Sequence, residues 1–240
     1  SKSLCCMGNN FKKFFYLILI LLIPILLIQQ WSKNASHYFK DLGYKTEEVA
    51  TVQDTILVTS VDTVKVPDFS FSKNSNDFIS SDDLIGNNYI IQFFFTACPT
   101  ICPTSTVNIR NEIHNKFKTI DDFKILSISI AEDSYQKMVD YKNRFSIDSS
   151  NWIFLTGSRD QVWSFANKLS LSAGFGSEDE GGFFHSPFII LVDKSGFIRT
   201  GIDKQKNIKP VWDATSFSDM ELLSEDISQL FFNQNKPFKE

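Results

Sequence analysis

Cysteine and histidine are scarce in this chain, so very few residues are available to build a metal or thiol site. The 240 residues include 4 Cys and 3 His. So few cysteines in a chain of this length exclude the disulfide framework of a small secreted protein. The formal net charge is -4 and no basic stripe is present, which excludes nucleic acid as an expected partner. The 24 Phe fall mainly in apolar runs and indicate a packed core.

One long apolar run, residues 14–28, lies near the N-terminus. Lys12 and Lys13 precede it and Trp31 follows it, so the pattern predicts a single transmembrane helix with its N-terminus in the cytoplasm. The globular part is then expected in the periplasm, attached to a bacterial inner membrane and in contact with the lipid bilayer. A cleaved signal peptide and a buried core helix are the alternatives. Cys5 and Cys6 precede the run, which is the wrong side for a lipoprotein acylation site.

The remainder of the chain alternates strand and helix patterns. Residues 1–31 are predicted to be the cytoplasmic end and anchor, residues 32–65 a spacer and extended arm, and residues 66–235 one folded domain. In more detail, residues 32–50 are predicted to be a spacer or short helix, residues 55–66 a strand pair or extended arm, and residues 72–77 a turn. Apolar runs bounded by turn residues predict strands, and stretches of helical composition follow them. The predicted strands are 89–95, 123–130, 152–156, 188–193 and 197–201, and the predicted helices are 103–117, 133–145, 159–169 and 216–232. This order predicts an α/β fold, and residues 174–182 are predicted to be a mobile loop.

Cys98 and Cys102 follow the first of these buried strands directly. A spacing of four at the start of a helix puts both sulfurs on one side, close enough to share a metal ion or form a disulfide. The helix N-terminus favours the thiolate, which is a soft ligand suited to Cu(I). The pair is therefore interpreted as redox-active or metal-binding. Two inert buried thiols and a structural disulfide are the alternatives.

Of the three histidines, only His185 lies beside a strand of the predicted core. A lone histidine is more often a structural residue than a ligand, so its position alone leaves both roles open. His114 falls at an amphipathic spacing and is predicted to lie on a solvated helix face, and His37 lies in the spacer. A closed zinc site normally has four protein ligands, and the sequence offers no strong fourth one.

Three blocks of this sequence together resemble a known family. Residues 93–103, FFFTACPTICP, resemble the signature of the SCO/SenC family of copper chaperones. Residues 152–157, WIFLTG, and the pair His185-Ser186 followed by 191–196, LVDKSG, resemble two further blocks in the same order. The resemblance spans about residues 66–201. It implies a thioredoxin-like domain that binds copper through Cys98, Cys102 and His185.

The resemblance also implies a role. Members of the family help to assemble the binuclear copper centre of cytochrome c oxidase, so the expected partner is a copper-receiving membrane protein, an oxidase subunit. The expected cargo is Cu(I), with Cu(II) as a second form that takes an added ligand. The chain is thus expected to be a metallochaperone rather than an enzyme. An extracytoplasmic thiol-disulfide oxidoreductase and a structural subunit of an envelope complex are the alternatives.

The chain departs from the family pattern at two places. Phe184 stands before the histidine, where the family usually has aspartate, and residues 129–134, SIAEDS, replace a typical Val-Asp-Pro pattern. These departures are expected to change copper affinity or partner docking more than the presence of the site.

Overall fold

The structure is a computed structural model that describes residues 13, 16, 18–26, 42–53, 56–203 and 205–234. It divides the chain into two compact units, Ser1–Asp41 and Leu42–Glu240. In the first unit, the described residues are helical. Within the described ranges, no helix is both long and apolar enough to cross a membrane. Parts of the expected anchor, together with Cys5, Cys6, Trp31 and His37, lie outside those ranges.

The second unit is built on a mixed sheet. Its strands are listed here in chain order: β1 Gly43–Tyr44, β2 Thr46–Gln53, β3 Ile56–Thr63, β4 Ser70–Asn74, β5 Asp77–Ser80, β6 Asn88–Phe94, β7 Phe123–Ser129, β8 Trp152–Leu155, β9 Ala173–Phe175, β10 Phe183–His185, β11 Phe188–Val192, β12 Ile198–Ile202, β13 Ile208–Lys209 and β14 Trp212–Asp213. The main sheet has the order β1-β12-β11-β6-β7-β8, with β13 beside β12 and β14 beside β11. Strands β6, β7 and β8 are parallel, whereas β11 and β12 are antiparallel to their neighbours.

Four main helices complete this unit: α1 Ile101–Ile109, α2 Tyr135–Arg144, α3 Arg159–Lys168 and α4 Phe217–Gln234. Helix α1 continues through a π-helical turn, Arg110–His114, into a last turn, Asn115–Phe117. All four helices and all five core strands predicted from the sequence are present, with ends shifted by one or two residues. The alternation of strand and helix patterns in the sequence therefore predicted the order of these elements correctly. The central strands are buried on both faces, and for that reason their residues form apolar runs that can be recognised in the sequence.

The sheet carries helices on both faces. Neighbouring residues of a strand point to opposite faces. Phe93 lies 6.2 Å, between ring centroids, from Phe165 of α3, whereas Phe94 lies 5.3 Å from Tyr141 of α2. The Tyr141 hydroxyl also hydrogen bonds the Thr106 hydroxyl of α1 at 2.8 Å. Helices α1 and α2 thus cover one face and α3 the other, and the cysteine loop leaves the sheet at the end of β6, between these layers.

The described segments before β6 contain more strand than their sequence predicts. Residues 55–66 were expected to form a strand pair or an extended arm, and β3 indeed pairs with β2 along its whole length. The expectation of a spacer or short helix through residue 50 is wrong for its end, because β1 joins β12 and β2 pairs with β3. The predicted turn at residues 72–77 is a short hairpin formed by β4 and β5.

Candidate metal centre

The two cysteines lie where strand β6 gives way to helix α1. Cys98 is in the connecting loop, and Cys102 is the second residue of α1. The Cys98 amide donates to the Phe95 carbonyl at 3.3 Å, which turns the chain back. The Cys102 amide then donates to Cys98 Sγ at 3.4 Å. An amide of the first turn of α1, which has no partner within the helix, therefore points at a sulfur atom. Both thiols are buried, and they are not joined in a disulfide.

Hydrogen bonding makes the two thiols unequal. The hydrogen bond from the Cys102 side chain holds the pKa of Cys98 well below its usual range, with smaller help from backbone amides, against the opposing effect of burial. The pKa of Cys102 is raised because its thiol donates that bond, and burial and the negative charges of Cys98 and Asp133 act in the same direction. The first proton of the pair is therefore lost more easily from Cys98 than from Cys102.

His185 reaches the cysteines from a different part of the chain. It ends β10 and is only 6% exposed. Its Nδ1 lies 2.9 Å from the Ser186 carbonyl oxygen, which can only accept a hydrogen bond, so Nδ1 carries the proton. Its Nε2 lies 3.0 Å from Cys102 Sγ. The imidazole thus presents the lone pair of Nε2 to the sulfurs, as a metal-binding histidine does.

All three residues predicted to form the site are brought together. Cys98, Cys102 and His185 each offer one ligand atom, and these atoms lie within 4.8 Å of one another. Two sulfurs and one imidazole nitrogen form a soft donor set that suits Cu(I). Among the described residues, no fourth His, Cys, Asp or Glu joins this group. The arrangement therefore does not match a closed four-ligand zinc site.

Asp133 is a buried carboxylate that supports the cysteine loop and that was not predicted from the sequence. Asp133 is 4% exposed. It accepts hydrogen bonds from the Thr96 amide at 2.8 Å and from the Thr96 hydroxyl at 2.7 Å. It also accepts one from the Ser129 hydroxyl at 2.8 Å. Asp133 therefore ties the end of β7 to the residue two positions before Cys98. The sequence feature that could have indicated Asp133 is the segment 129–134, which keeps an aspartate although it departs from the Val-Asp-Pro pattern of the family.

The predicted loop at residues 174–182 is a hairpin. Strands β9 and β10 pair with Phe183 opposite Phe175 and His185 opposite Ala173. A 3-10 turn, Glu178–Glu180, closes the tip and carries a capping box. A Cβ added at Gly181, whose φ is +84°, would lie 3.1 Å from the Ala97 carbonyl oxygen. The predicted loop is therefore present as the connection between β9 and β10, held by aromatic contacts of the two strands and by close approach to the cysteine loop. Its mobility stays a prediction.

Phe184, which stands where the family usually has aspartate, does not face the cysteines. Neighbouring residues on a strand alternate in direction, so Phe184 points opposite to Phe183 and His185. Its ring packs over Gly174, where an added Cβ would lie 2.8 Å from the ring, and the side chain is 42% exposed. The replacement therefore alters the outer surface beside the site rather than its donor set.

The prediction for His114 is wrong. It was expected on a solvated helix face, yet it is only 1% exposed. Its Nε2 is hydrogen-bonded to the Ser149 hydroxyl, and the centroid of its ring lies 5.4 Å from the centroid of the Trp152 ring. The π-helical turn Arg110–His114 explains the difference, since it shifts the positions that follow relative to a regular helix.

Comparison with known proteins identifies the relationship. Residues 59–216 match the profile of the family described as SCO1/SenC. The chain belongs to the SCO1/SenC family. It is 32% identical over 143 residues to an SCO2-like protein of Rickettsia felis, covering 56% of this chain and 68% of the relative. It is 28% identical over 136 residues to the SCO1 protein homolog of Bacillus subtilis, covering 55% and 70%.

Solved structures of SCO1/SenC proteins share the fold. A SCO1/SenC family lipoprotein from Bacillus anthracis superposes with a TM-score of 0.59 at 21% identity, covering 70% of this chain and 95% of that one. Arabidopsis thaliana ScoI, solved with copper bound, gives 0.55 at 20% identity, covering 71% and 99%. The predicted thioredoxin-like α/β fold is thus confirmed for the part of the chain that contains the cysteine loop and the hairpin.

Proposed function

We propose that this SCO1/SenC protein binds one copper ion through Cys98, Cys102 and His185. The observation that carries the proposal is the convergence of two sulfurs and one imidazole nitrogen within 4.8 Å, all on buried residues. The donor set is preorganised, because a helix amide faces Cys98 Sγ and a carbonyl fixes the histidine proton on Nδ1. Thiolate ligands favour Cu(I), and Cu(II) would bind with an added ligand.

Relatives suggest where the copper goes. BsSco is described as a member of the Sco family of cytochrome c oxidase assembly proteins, and ScoI proteins of Arabidopsis thaliana and Bradyrhizobium japonicum have been solved with copper bound. By extension, this chain is a metallochaperone rather than an enzyme and helps to metallate the binuclear copper centre of cytochrome c oxidase. Its direct partner is then an oxidase subunit.

The same proposal includes a membrane anchor. The apolar run 14–28 and the lysines before it support a single span of a bacterial inner membrane, with the copper site in the periplasm. Protease added to intact spheroplasts should then digest the globular unit while a cytoplasmic marker survives. Full protection of the globular unit in intact spheroplasts, with digestion after lysis, would contradict this topology.

Transfer requires a coordination position to open for a ligand from the recipient. The two sulfurs lie on the loop and first turn of α1, whereas His185 lies on the separate β9–β10 hairpin. Movement of the hairpin away from α1 would remove one neutral ligand and leave both sulfurs on the ion. The site is therefore suited to passing copper on rather than storing it.

A Cu(I) titration of the reduced chain, in competition with a Cu(I) chelator, tests the ligand set. Cys98→Ser and Cys102→Ser should each abolish tight binding, because each removes one of two thiolates. His185→Ala should weaken binding without abolishing it. Cys5→Ser with Cys6→Ser serves as a matched control that removes two sulfurs that are not among the proposed ligands. Unchanged affinity in His185→Ala would remove the histidine from the ligand set.

A thiol-disulfide oxidoreductase is the second candidate, favoured by the unequal thiols. The Cys98 thiolate would attack a partner disulfide and release one partner thiolate. The Cys102 thiol, after losing its proton, would then displace the second, leaving a Cys98–Cys102 disulfide and a partner reduced by two electrons. This reaction does not need His185 as a ligand. Disulfide reduction that survives in His185→Ala, together with unchanged copper affinity, would favour this role.

A further inference from the structure

The β9–β10 hairpin carries His185 but belongs to neither the main sheet nor a helix, so something else must hold it beside the cysteines. The hydrogen bonds between its two strands continue one position beyond them, where the Ser186 amide donates to the Ser172 carbonyl at 2.9 Å. On the face that carries His185, Phe183 packs edge-on against Phe95, with centroids 5.7 Å apart. Phe95 in turn lies 6.2 Å from the His185 ring.

The same face of the hairpin also meets a cation, Arg159, because Phe175 is paired opposite Phe183. The guanidinium carbon of Arg159 lies 5.5 Å from the Phe183 ring centroid and 5.4 Å from that of Phe175. It also lies 5.9 Å from the ring of Trp163, one turn along α3. Trp163 and Phe175 meet edge-to-face at 4.9 Å. Arg159 thus contacts aromatic rings on both hairpin strands and on the helix beside them.

Glu132 holds this cation in place. Its Oε1 accepts the Arg159 backbone amide at 2.8 Å, and its Oε2 lies 3.2 Å from Arg159 Nη2. Ser158, the N-cap residue of α3, makes no side-chain capping bond, so Glu132 caps that helix from another segment. A cation in the first turn of a helix opposes the helix dipole. The paired carboxylate offsets this cost and fixes the direction of the guanidinium.

We propose that Arg159 is a positioning residue for His185, in that it holds the β9–β10 hairpin closed over the two cysteines. This inference rests on the proposed role of His185 as a ligand. Without Arg159 the hairpin is open for a larger fraction of the time. Part of the free energy of copper binding is then used to close it. The apparent affinity falls in proportion to the closed fraction. Arg159 acts through His185 alone, since it contacts neither sulfur.

A double-mutant cycle on Cu(I) affinity tests this coupling. The chains are the wild type, Arg159→Ala, His185→Ala and the double variant, each reduced and full-length. Arg159→Ala should weaken Cu(I) binding about threefold to tenfold in the wild-type background, the range of one or two cation–π contacts. In the His185→Ala background it should weaken binding less than about twofold, because the hairpin then has no ligand to place.

A second readout needs no metal. Hydrogen exchange of the metal-free chain should show faster exchange of the Gly176 and Ser186 amides, both bonded within or beside the hairpin, in Arg159→Ala. Amides of β6 and β7 should be unchanged. Arg159→Lys should restore part of the protection, since it keeps the charge without the planar guanidinium. Arg144→Ala, which removes a guanidinium 5.9 Å from the Tyr141 ring on α2, is the matched control and should leave the hairpin unchanged.

The outcomes separate the two claims. Equal weakening by Arg159→Ala in both backgrounds would overturn positioning through His185, as would unchanged affinity together with unchanged protection of the hairpin. If His185→Ala alone leaves Cu(I) affinity unchanged, the ligand assignment fails instead. In that case hydrogen exchange still decides whether Arg159 holds the hairpin, and unchanged protection in Arg159→Ala overturns the inference.

Discussion

Replacing Asp133 should destabilise the fold and loosen the cysteine loop at the same time. Asp133 is buried, and its carboxylate accepts three hydrogen bonds, two from Thr96 and one from Ser129. Thr96 is two residues before Cys98, so the loop that carries the first sulfur depends on this carboxylate. In Asp133→Ala, the Thr96 amide and two hydroxyls lose their acceptor in a site with little access to water.

The size of the effect follows from these bonds. A hydrogen bond to a charged group contributes about 1.5–3 kcal/mol, and a buried donor left without a partner costs about 1–3 kcal/mol. Burying the carboxylate itself opposes these gains. The net loss in Asp133→Ala should therefore be about 3–4 kcal/mol of the unfolding free energy. Asp133→Asn keeps one oxygen acceptor but turns an amide group toward donors, so about 2 kcal/mol is expected.

Urea unfolding of the reduced chain measures these differences directly. Asp121→Asn, a substitution of an exposed aspartate, is the matched control and should change stability by less than about 0.5 kcal/mol. Cu(I) affinity of Asp133→Asn, measured where the variant is folded, should fall as well. A loss below about 0.5 kcal/mol in Asp133→Ala would show instead that the three donors find other partners and that the fold does not depend on this carboxylate.

Three further predictions concern protonation and the outer face of the site. In the reduced, metal-free chain, the rate of Cys98 alkylation should change little between pH 8 and 6, because its pKa is lowered, whereas a thiol of ordinary pKa slows about a hundredfold; a hundredfold slowing would contradict this. Burial lowers the pKa of His114, so the unfolded chain takes up the proton first, near pH 6.5. The stabilisation is complete above about that pH and is lost on acidification below it; wild-type unfolding free energy should therefore fall more on acidification than that of His114→Gln, and identical pH profiles would contradict the lowered pKa of His114. Phe184→Asp should leave Cu(I) affinity within about twofold of wild type, since residue 184 faces away from the sulfurs; a tenfold change would show that it acts on the site.

Much of the fold follows from short-range patterns. The apolar run ending at Phe94 could be recognised as a central strand because burial on both faces leaves no polar alternation. The position of Cys98 and Cys102 at a strand-to-helix junction followed from the same pattern, and it predicted that both sulfurs lie together. The proximity of His185 could not be deduced this way, because it is 83 residues from Cys102. Only the resemblance to the SCO/SenC family indicated it.

The errors have physical causes that no local pattern reveals. Glycines and acidic residues around Gly181 predict a loop, which is present between β9 and β10, but they do not predict the contacts of Phe175 and Phe183 with Arg159, which form only after the chain has folded. His114 was misplaced because a π-helical turn interrupts the regular helical period. These cases show that local composition predicts the elements well, whereas contacts between distant segments decide which residues are buried.

X-ray absorption at the copper edge identifies the atoms bound to copper. The reduced chain loaded with one Cu(I) should show two sulfur neighbours and one nitrogen neighbour in the first coordination shell. His185→Ala should lose the nitrogen of an imidazole and keep both sulfurs. A wild-type first shell without two sulfurs, or one whose imidazole signal persists in His185→Ala, would contradict the assignment of Cys98, Cys102 and His185 as the copper ligands.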